Sequence, residues 1–145
     1  MFKHILVPVD GSPTAQKAVE KACALARTYD STLTVVYVID PYPFTGLGND
    51  FGYGQAEYLS AATVEARQAT GAAQQLCAQA GVNVVVRVVE AHGAWRGILA
   101  AADQVGADLI VIGSHGRHGL EKLVLGSETQ RVLSHTRLPV LVVRD

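Results

Sequence analysis

Five short runs of apolar residues recur along the chain, and each has the length of a β-strand. They span His4–Val9, Thr32–Ile39, Val82–Val89, Ala107–Ile112 and Leu138–Val143, and most of their residues are Val, Ile or Leu. Near-continuous apolarity, rather than strict alternation with polar residues, is typical of strands covered on both faces, as in a parallel sheet. The pattern therefore predicts a five-stranded parallel sheet.

Helical patterns lie between the predicted strands. The first begins after Ser12, a favoured capping residue, with Pro13 at the first helical position. The remaining predicted helices run from about Gln55 to Ala80, from Ala94 to Val105 and from Ser127 to His135. Alternating strands and helices predict one α/β domain over residues 1–145, with an open sheet and right-handed crossovers.

One long irregular stretch, Pro41–Gly54, interrupts this alternation. It is rich in proline, glycine and aromatic residues. Loops of this length in compact domains are often lids or binding loops. A variable connector is an equally good interpretation of the same residues.

Composition narrows the class of protein. The chain has 145 residues and a formal net charge of −1, so it lacks the basic excess expected of a nucleic-acid-binding protein. Its apolar runs fall short of the roughly 20 residues that a membrane helix needs. We expect no membrane association, and a cytoplasmic location because no signal peptide is visible at the start of the sequence.

The cysteines and histidines give no metal-binding pattern. Cys23 and Cys77 lie in Ala-rich helical segments without CxxC spacing, so we interpret them as inert core residues. His115 and His118 lack neighbouring residues with metal-ligand spacing, and we interpret both as ordinary polar residues of the loop. We therefore expect no metal site formed by protein side chains.

The glycine-rich segment after the fourth predicted strand is the strongest chemical signal. Gly113-x2-Gly116-x9-Gly126-Ser127 follows an apolar run and precedes a helix. Glycines let a backbone approach a ligand and adopt positive φ, and a helix start favours an anion. Ligands in open α/β sheets bind at the carboxyl ends of strands, where Asp10 also lies. The pattern predicts a phosphate-binding loop, and a shared crevice if the first and fourth strands are neighbours.

Two common nucleotide motifs are absent. The sequence contains neither the Walker pattern GxxxxGK[ST] nor GxGxxG. This argues against P-loop phosphoryl transfer and classical dinucleotide binding. The sequence also offers no evident base for water and no carboxylate pair for magnesium, so we assign no catalytic residue.

The segment GSHGRHGLEKLVLGS resembles the G-x2-G-x9-G-[S/T] motif of the universal stress protein family, in its ATP-binding branch. HILVPVDGS, ADLIVIGSHG and LPVLVVR resemble other strands of that family, so the resemblance covers the whole chain. It implies a Rossmann-like, open five-stranded parallel sheet of order 3-2-1-4-5, with helices on both faces. That order would place Asp10 beside the glycine loop.

The resemblance also implies which residues contact an adenine nucleotide. Asp10 would accept a hydrogen bond from a ribose hydroxyl or the adenine amine, and Val38 would offer backbone groups to the adenine edge. The full set implied for adenine, ribose and phosphates is Pro8, Val9, Asp10, Val38, Gly113, Ser114, Gly116, Arg117, Gly119, Gly126, Ser127 and Glu128.

Several of these roles have alternatives. Asp10 could instead form the turn and cap the helix that begins at Pro13, and Arg117 could be a solvated charge. Many family members have Val where this chain has Glu128, whose carboxylate suits the helix dipole but would repel a triphosphate unless a cation lay between them. The implied ligand is ATP, or AMP or ADP, with or without Mg²⁺.

The last predicted strand bears on assembly. An apolar edge strand at 138–143 is an aggregation hazard unless it is covered, and pairing with a second copy forms a two-fold dimer, as is common in the family.

Three functions remain open. The first is an ATP-binding regulatory homodimer in the stress response. The second is a slow ATPase or phosphotransferase that uses the same cleft, and the third is a dimeric stress protein that binds no nucleotide.

Overall fold

A computed structural model describes residues 1–41, 51–116 and 125–145. Within these ranges the sheet has the order β3-β2-β1-β4-β5, and every adjacent pair is parallel. The predicted fold class and strand order are therefore confirmed. The elements, in chain order, are β1 (His4–Pro8), α1 (Pro13–Tyr29), β2 (Thr32–Ile39), α2 (Phe51–Gln79), β3 (Val84–Glu90), α3 (Ala94–Val105), β4 (Leu109–Gly113), α4 (Ser127–His135) and β5 (Val140–Val143).

The central strand β1 shows why the apolar runs are nearly continuous. Ile5, Leu6 and Val7 are each at most 1% exposed. Ile5 and Val7 belong to a buried cluster with residues of α1 and α2, whereas Leu6 belongs to a second cluster with residues of α3 and α4. Successive side chains of a strand point to opposite faces, so covering both faces requires apolar residues at every position.

The capping residues act as the sequence predicts. The Ser12 hydroxyl accepts a hydrogen bond from the Ala15 amide at 3.1 Å, and Pro13 is the first residue of α1. At the other end of α1, Asp30 has the left-handed conformation, with φ of 53°. Gly106, with φ of 68°, ends α3 in the same way. These caps set the helix boundaries.

The predicted strand boundaries differ from the structure by at most two residues, and the largest error lies at the start of α2. The irregular stretch was expected to extend to Gly54, but α2 already begins at Phe51, so residues 51–54 are helical. Glycine disfavours helices by about 1 kcal/mol relative to alanine, and the long helix that follows outweighs this local preference. The other residues of that stretch, 42–50, lie outside the described ranges. Although α2 has 29 residues, no helix in the described ranges is both long and apolar enough to traverse a bilayer.

Candidate functional site

The reversal of strand order places the carboxyl ends of β1 and β4 side by side. After β1 comes the turn at Asp10, and after β4 comes the start of the glycine loop. A β-carbon built on Gly116 would lie 2.5 Å from Oδ2 of Asp10. Asp10 therefore lies directly beside the glycine loop, as the strand order implied. Crevices of this kind are where open α/β sheets bind ligands.

Asp10 forms the turn but does not cap α1. Its Oδ1 accepts a hydrogen bond from the Ser12 amide at 2.9 Å, and Gly11 between them has φ of 85°. The helix cap is instead the Ser12 hydroxyl. A carboxylate has lone pairs for about four hydrogen bonds, so forming this turn is compatible with a ligand contact.

The loop glycines within the described residues lie close to other atoms but do not have the positive φ that the sequence suggested. A β-carbon on Gly113 would lie 2.9 Å from Cγ2 of Thr14, and one on Gly126 would lie 3.1 Å from Cα of His115. In the described residues, positive φ among glycines occurs at Gly11, Gly81, Gly93 and Gly106. That part of the prediction is therefore wrong for Gly113, Gly116 and Gly126.

Backbone hydrogen bonds fix the first part of the loop. The Ser114 amide donates to the Val143 carbonyl at 2.8 Å, and the Ser114 carbonyl accepts from the Gly126 amide at 2.7 Å. Ser114 is only 1% exposed. The amides of Ser114 and Gly126, which the resemblance made candidate phosphate donors, are thus used to join β4 to β5 and to α4.

The start of α4 remains a candidate anion site. Gly126 is the N-cap residue, with φ of −62° and ψ of 154°, and Ser127 is the first helical residue. The first amides of a helix have no acceptors within the helix. The Thr129 hydroxyl donates to the Gly113 carbonyl at 2.9 Å, which holds this helix start against the end of β4.

The Glu128 carboxylate contacts the start of α3, whereas the sequence analysis expected it in the phosphate site. Its Oε2 accepts a hydrogen bond from the Trp95 amide at 2.9 Å, and its Oε1 lies 3.7 Å from Nη1 of Arg131. The N-cap residue of α3 is Gly93, which has no side chain to cap the helix, so a residue from α4 supplies the acceptor. Any phosphate contact of Glu128 would therefore be through its backbone amide.

The predicted adenine side consists of residues packed into the fold. Val9 is 8% exposed and its amide donates to the Val36 carbonyl at 2.9 Å, while Pro8 is half-buried at the end of β1. The Val38 side chain packs on α3, where a β-carbon on Gly97 would lie 2.7 Å from its Cγ1. Ligand contacts here would involve backbone groups and the edges of side chains. Two further predicted residues, Arg117 and Gly119, lie outside the described ranges, as does His118.

A cleft of about 390 Å³ opens beside this crevice. Among the predicted site residues in the described ranges, Gly116 lines it. The other lining residues come from the start of α1, the end of β4 and the segment after β5: Gly11, Ser12, Pro13, Thr14, His115 and Asp145.

Three residues of the cleft form a hydrogen-bonded cluster that the sequence analysis missed. The Thr14 hydroxyl donates to Oδ1 of Asp145 at 2.7 Å and lies 3.3 Å from Nε2 of His115. That nitrogen is 3.4 Å from Oδ2 of Asp145, and Nδ1 of His115 is 3.2 Å from the Ser114 hydroxyl. The His115 side chain is 13% exposed, so it is not a solvated loop residue. The available signal was position: His115 and Asp145 lie just beyond the carboxyl ends of β4 and β5, and Thr14 lies in the first turn of the helix that follows β1.

Within the residues that the structure describes, no three His, Cys, Asp or Glu side chains are grouped so that they could hold a metal ion. A side chain at Gly116 would fill the space between the turn at Asp10 and the loop, and a side chain at Gly126 would press on the loop at His115.

The sequence model of the Universal stress protein family matches residues 1–144. The chain belongs to the universal stress protein family. A curated relative, the universal stress protein MJ0531 of Methanocaldococcus jannaschii, is 33% identical over 145 residues, which are 99% of this chain and 83% of that protein. Among solved structures, the universal stress protein UspA from Lactobacillus plantarum matches with a TM-score of 0.87 at 30% identity, covering 98% of this chain and 97% of that one.

Two other solved universal stress proteins contain nucleotides. One, from Archaeoglobus fulgidus, is in complex with dAMP; it is 23% identical, with a TM-score of 0.72 and coverage of 98% of both chains. The other is in complex with cAMP; it is 24% identical, with a TM-score of 0.68 and coverage of 99% of this chain and 97% of that one. At these identities the likeness shows a shared fold. Nucleotide binding therefore occurs within the universal stress protein family.

Proposed function

We propose that this chain binds an adenine nucleotide in the crevice between the carboxyl ends of β1 and β4. The observation that carries the proposal is the contact between Gly116 and Asp10, where a β-carbon would come within 2.5 Å of a carboxylate oxygen. A residue without a side chain thus brings exposed backbone close to an acceptor that suits a ribose hydroxyl or the adenine amine. Pro8, Val9 and the backbone of Val38 would border the base.

The phosphates would lie at the start of α4. The amides of Ser127 and Glu128 belong to the first turn of this helix, where the dipole favours an anion. Arg117 and Gly119 would complete the loop around the ribose and phosphates. Each charge-assisted amide–phosphate hydrogen bond contributes about 1.5–3 kcal/mol, so several of them support micromolar affinity.

ATP is the nucleotide we propose, with AMP and ADP as the alternatives and Mg²⁺ as an accompanying ion. Glu128 was the residue most expected to repel a triphosphate. Because its carboxylate is bonded to the Trp95 amide on α3, that repulsion is reduced. The dAMP and cAMP of the two relatives are both monophosphates, so the number of phosphates must be measured for this chain.

Isothermal titration calorimetry with ATP, ADP and AMP, each with and without Mg²⁺, tests the proposal. Gly116→Ala should weaken binding at least tenfold, because the new β-carbon displaces Asp10 or the loop. Gly71→Ala is the matched control, since a β-carbon on Gly71 meets nothing within 4 Å. Equal affinities for these two variants, or no heat from wild-type protein and no co-purified adenine nucleotide, would favour the nucleotide-free reading.

We also propose that the protein is a cytoplasmic homodimer with a regulatory role in the stress response. The second copy would pair with β5 through the strand at 138–143. In the isolated chain this edge strand leaves Leu141 41% exposed. Light scattering coupled to gel filtration should find a dimer for wild type and a monomer for Leu141→Lys. Leu133→Lys on α4, where the wild-type side chain is 39% exposed, is the control and should remain dimeric.

Slow hydrolysis of the bound nucleotide is the second candidate function. The observation that favours it is the cluster of His115 with Asp145, which supplies a base that the sequence did not reveal. A water molecule would attack the terminal phosphorus of ATP and pass a proton to His115, while the bond from that phosphorus to the bridging oxygen breaks and ADP leaves. Phosphate release by purified protein should then be lost in His115→Gln while nucleotide binding is retained. Release that persists in this variant excludes the role of His115.

A further inference from the structure

Cys23 and Cys77 meet inside the fold although 54 positions separate them in the sequence. Cys23 belongs to α1 and Cys77 to α2, and their sulfur atoms are 3.1 Å apart. The residues are 3% and 0% exposed, respectively, and they are the only cysteines of the chain. The sequence suggested two inert thiols, whereas the structure makes them a pair.

Small residues surround the two sulfur atoms, which must approach further to form a disulfide bond. The buried cluster on this face contains Ala22 and Ala26 from α1, together with Ala69 and Ala73 from α2. Such small residues let two helices pack closely. A disulfide bond requires a sulfur–sulfur distance of about 2.05 Å, so the sulfurs must close by roughly 1 Å. Rotations of the two side chains would have to supply that movement.

The contact also makes the two thiols unequal. The hydrogen bond from Cys77 lowers the pKa of the Cys23 thiol, although burial opposes this effect. The same hydrogen bond, reinforced by burial, raises the pKa of Cys77. Cys23 is also the more exposed of the two residues, at 3% against 0% for Cys77. Because the thiolate is the reactive species, we assign Cys23 as the nucleophile of the pair and Cys77 as the resolving thiol.

We propose that Cys23 and Cys77 are a redox-active pair, which hydrogen peroxide converts into a reversible intramolecular disulfide bond between α1 and α2. The Cys23 thiolate attacks one peroxide oxygen, the O–O bond breaks, and the products are a sulfenic acid and hydroxide. The Cys77 sulfur then attacks the Cys23 sulfur, and the S–O bond breaks. The hydroxide that leaves Cys23 takes the Cys77 proton, and the hydroxide released from peroxide combines with the proton that Cys23 lost on ionising, so two thiols and one peroxide yield one disulfide and two waters.

The cross-link would constrain the unfolded chain more than the folded one. It would close a loop that contains β2 and most of α2, and cross-links of this kind stabilise mainly through the unfolded state. The thermal midpoint should rise by roughly 5–15 °C on oxidation. A dithiol reductant should restore the original midpoint, since thiol–disulfide exchange reverses the bond.

Intact-mass analysis of the whole protein tests this inference. Reduced wild-type protein is treated with hydrogen peroxide, then unfolded and alkylated with iodoacetamide. The expected result is a monomer that has lost two hydrogen atoms, takes up no alkyl group, and yields one peptide pair joined through Cys23 and Cys77. Retention of both thiols, or their oxidation to sulfinic acids without a cross-link, overturns the proposal.

Single substitutions separate the roles of the two sulfurs. Cys77→Ser should retain an oxidised Cys23 that dimedone traps as a sulfenic acid, whereas Cys23→Ser should react more slowly. Neither variant should show the rise in thermal midpoint, and far-ultraviolet circular dichroism checks that each is folded. If a variant fails to fold, the oxidised and reduced wild-type proteins still provide the decisive comparison. Nucleotide binding enters none of these measurements, so the two proposals fail independently.

Discussion

The polar groups at the amino ends of the central strands β1 and β4 are used differently from those at the carboxyl ends. At the amino end, the Asp108 carboxylate accepts hydrogen bonds from the Lys3 amide at 2.9 Å and from the His4 amide at 3.0 Å. The Asp108 amide in turn donates to the His4 carbonyl at 2.9 Å. At the carboxyl end, Gly11 after β1 and Gly116 after β4 line a cleft of about 390 Å³. The polar groups at the amino end hold the strands together, whereas the carboxyl end leaves an open cleft beside the strands.

Asp10 and Asp108 therefore form a natural pair of carboxylates for comparison. Each accepts from backbone amides next to the same central strand, but only Asp10 lies beside the glycine loop. We expect changes at Asp10 to act mainly on ligand affinity and changes at Asp108 to act mainly on folding. Four predictions test this division, from the largest expected effect to the smallest.

Asp10→Asn should lower the affinity for ATP about tenfold or more, equivalent to about 1.4 kcal/mol or more. The substitution keeps an oxygen that can accept from the Ser12 amide and removes the negative charge offered to the ribose or adenine. Calorimetric titration measures the effect, with Asp108→Asn as the control whose affinity should match wild type. Similar affinities for the two variants would contradict the ligand role of Asp10.

Glu128→Ala should lower the free energy of unfolding by about 1 kcal/mol. It removes the acceptor for the Trp95 amide at the start of α3. Because the Glu128 carboxylate is bonded to the first turn of α3, the affinity for ATP should change less than twofold. That result would show that a side chain near the carboxyl ends of the strands need not contact the ligand. Urea unfolding gives the stability, and Glu57→Ala on the exposed surface of α2 is the control. A large change in affinity would show that the Glu128 side chain, and not only its backbone amide, contributes to the phosphate site.

Asp108→Asn should lower the free energy of unfolding by about 0.5–1 kcal/mol at neutral pH, a value that allows for screening by solvent. The variant loses the charge that strengthens the hydrogen bonds from Lys3 and His4. Thermal unfolding followed by circular dichroism measures the loss. A destabilisation of the same size in Asp10→Asn would remove the distinction between the two ends.

The Asp108 carboxylate also predicts how the stability of the folded protein depends on pH. Burial would raise the pKa of Asp108, but the hydrogen bonds from the Lys3 and His4 amides outweigh it, so the pKa lies below its ordinary value. A carboxyl group with a lowered pKa stabilises the folded state above its unfolded pKa of about 3.9. The stability difference between wild type and Asp108→Asn should therefore be constant near neutrality and shrink as the pH falls below about 4. A difference that grows with acidity would contradict this account.

The fold was predictable from the sequence because its signals are local and repeated. Apolar runs marked the strands, and Ser12 with Pro13 marked the start of α1 where the structure has it. The start of α2 was not predictable in this way, since Gly52 and Gly54 resemble loop residues and are helical only as part of a 29-residue element.

The place of the candidate site was also predictable, but the partners of its side chains were not. Strand order alone brings Asp10 beside Gly116. By contrast, Glu128 bonds to a residue 33 positions earlier, and Thr14 meets Asp145 from 131 positions away. Such partners depend on how whole helices and strands pack together, so they cannot be predicted from the neighbouring residues in the sequence.

The burial of both native thiols has a practical consequence. Both sulfurs are buried in the folded protein, so a bulky maleimide dye, unlike the much smaller hydrogen peroxide, would react preferentially with a single engineered surface thiol. Ser134, exposed on α4, differs from cysteine by one atom. A fluorophore at Ser134→Cys would sit on the helix whose first turn we assign to the phosphates, so that its emission could report nucleotide binding in real time.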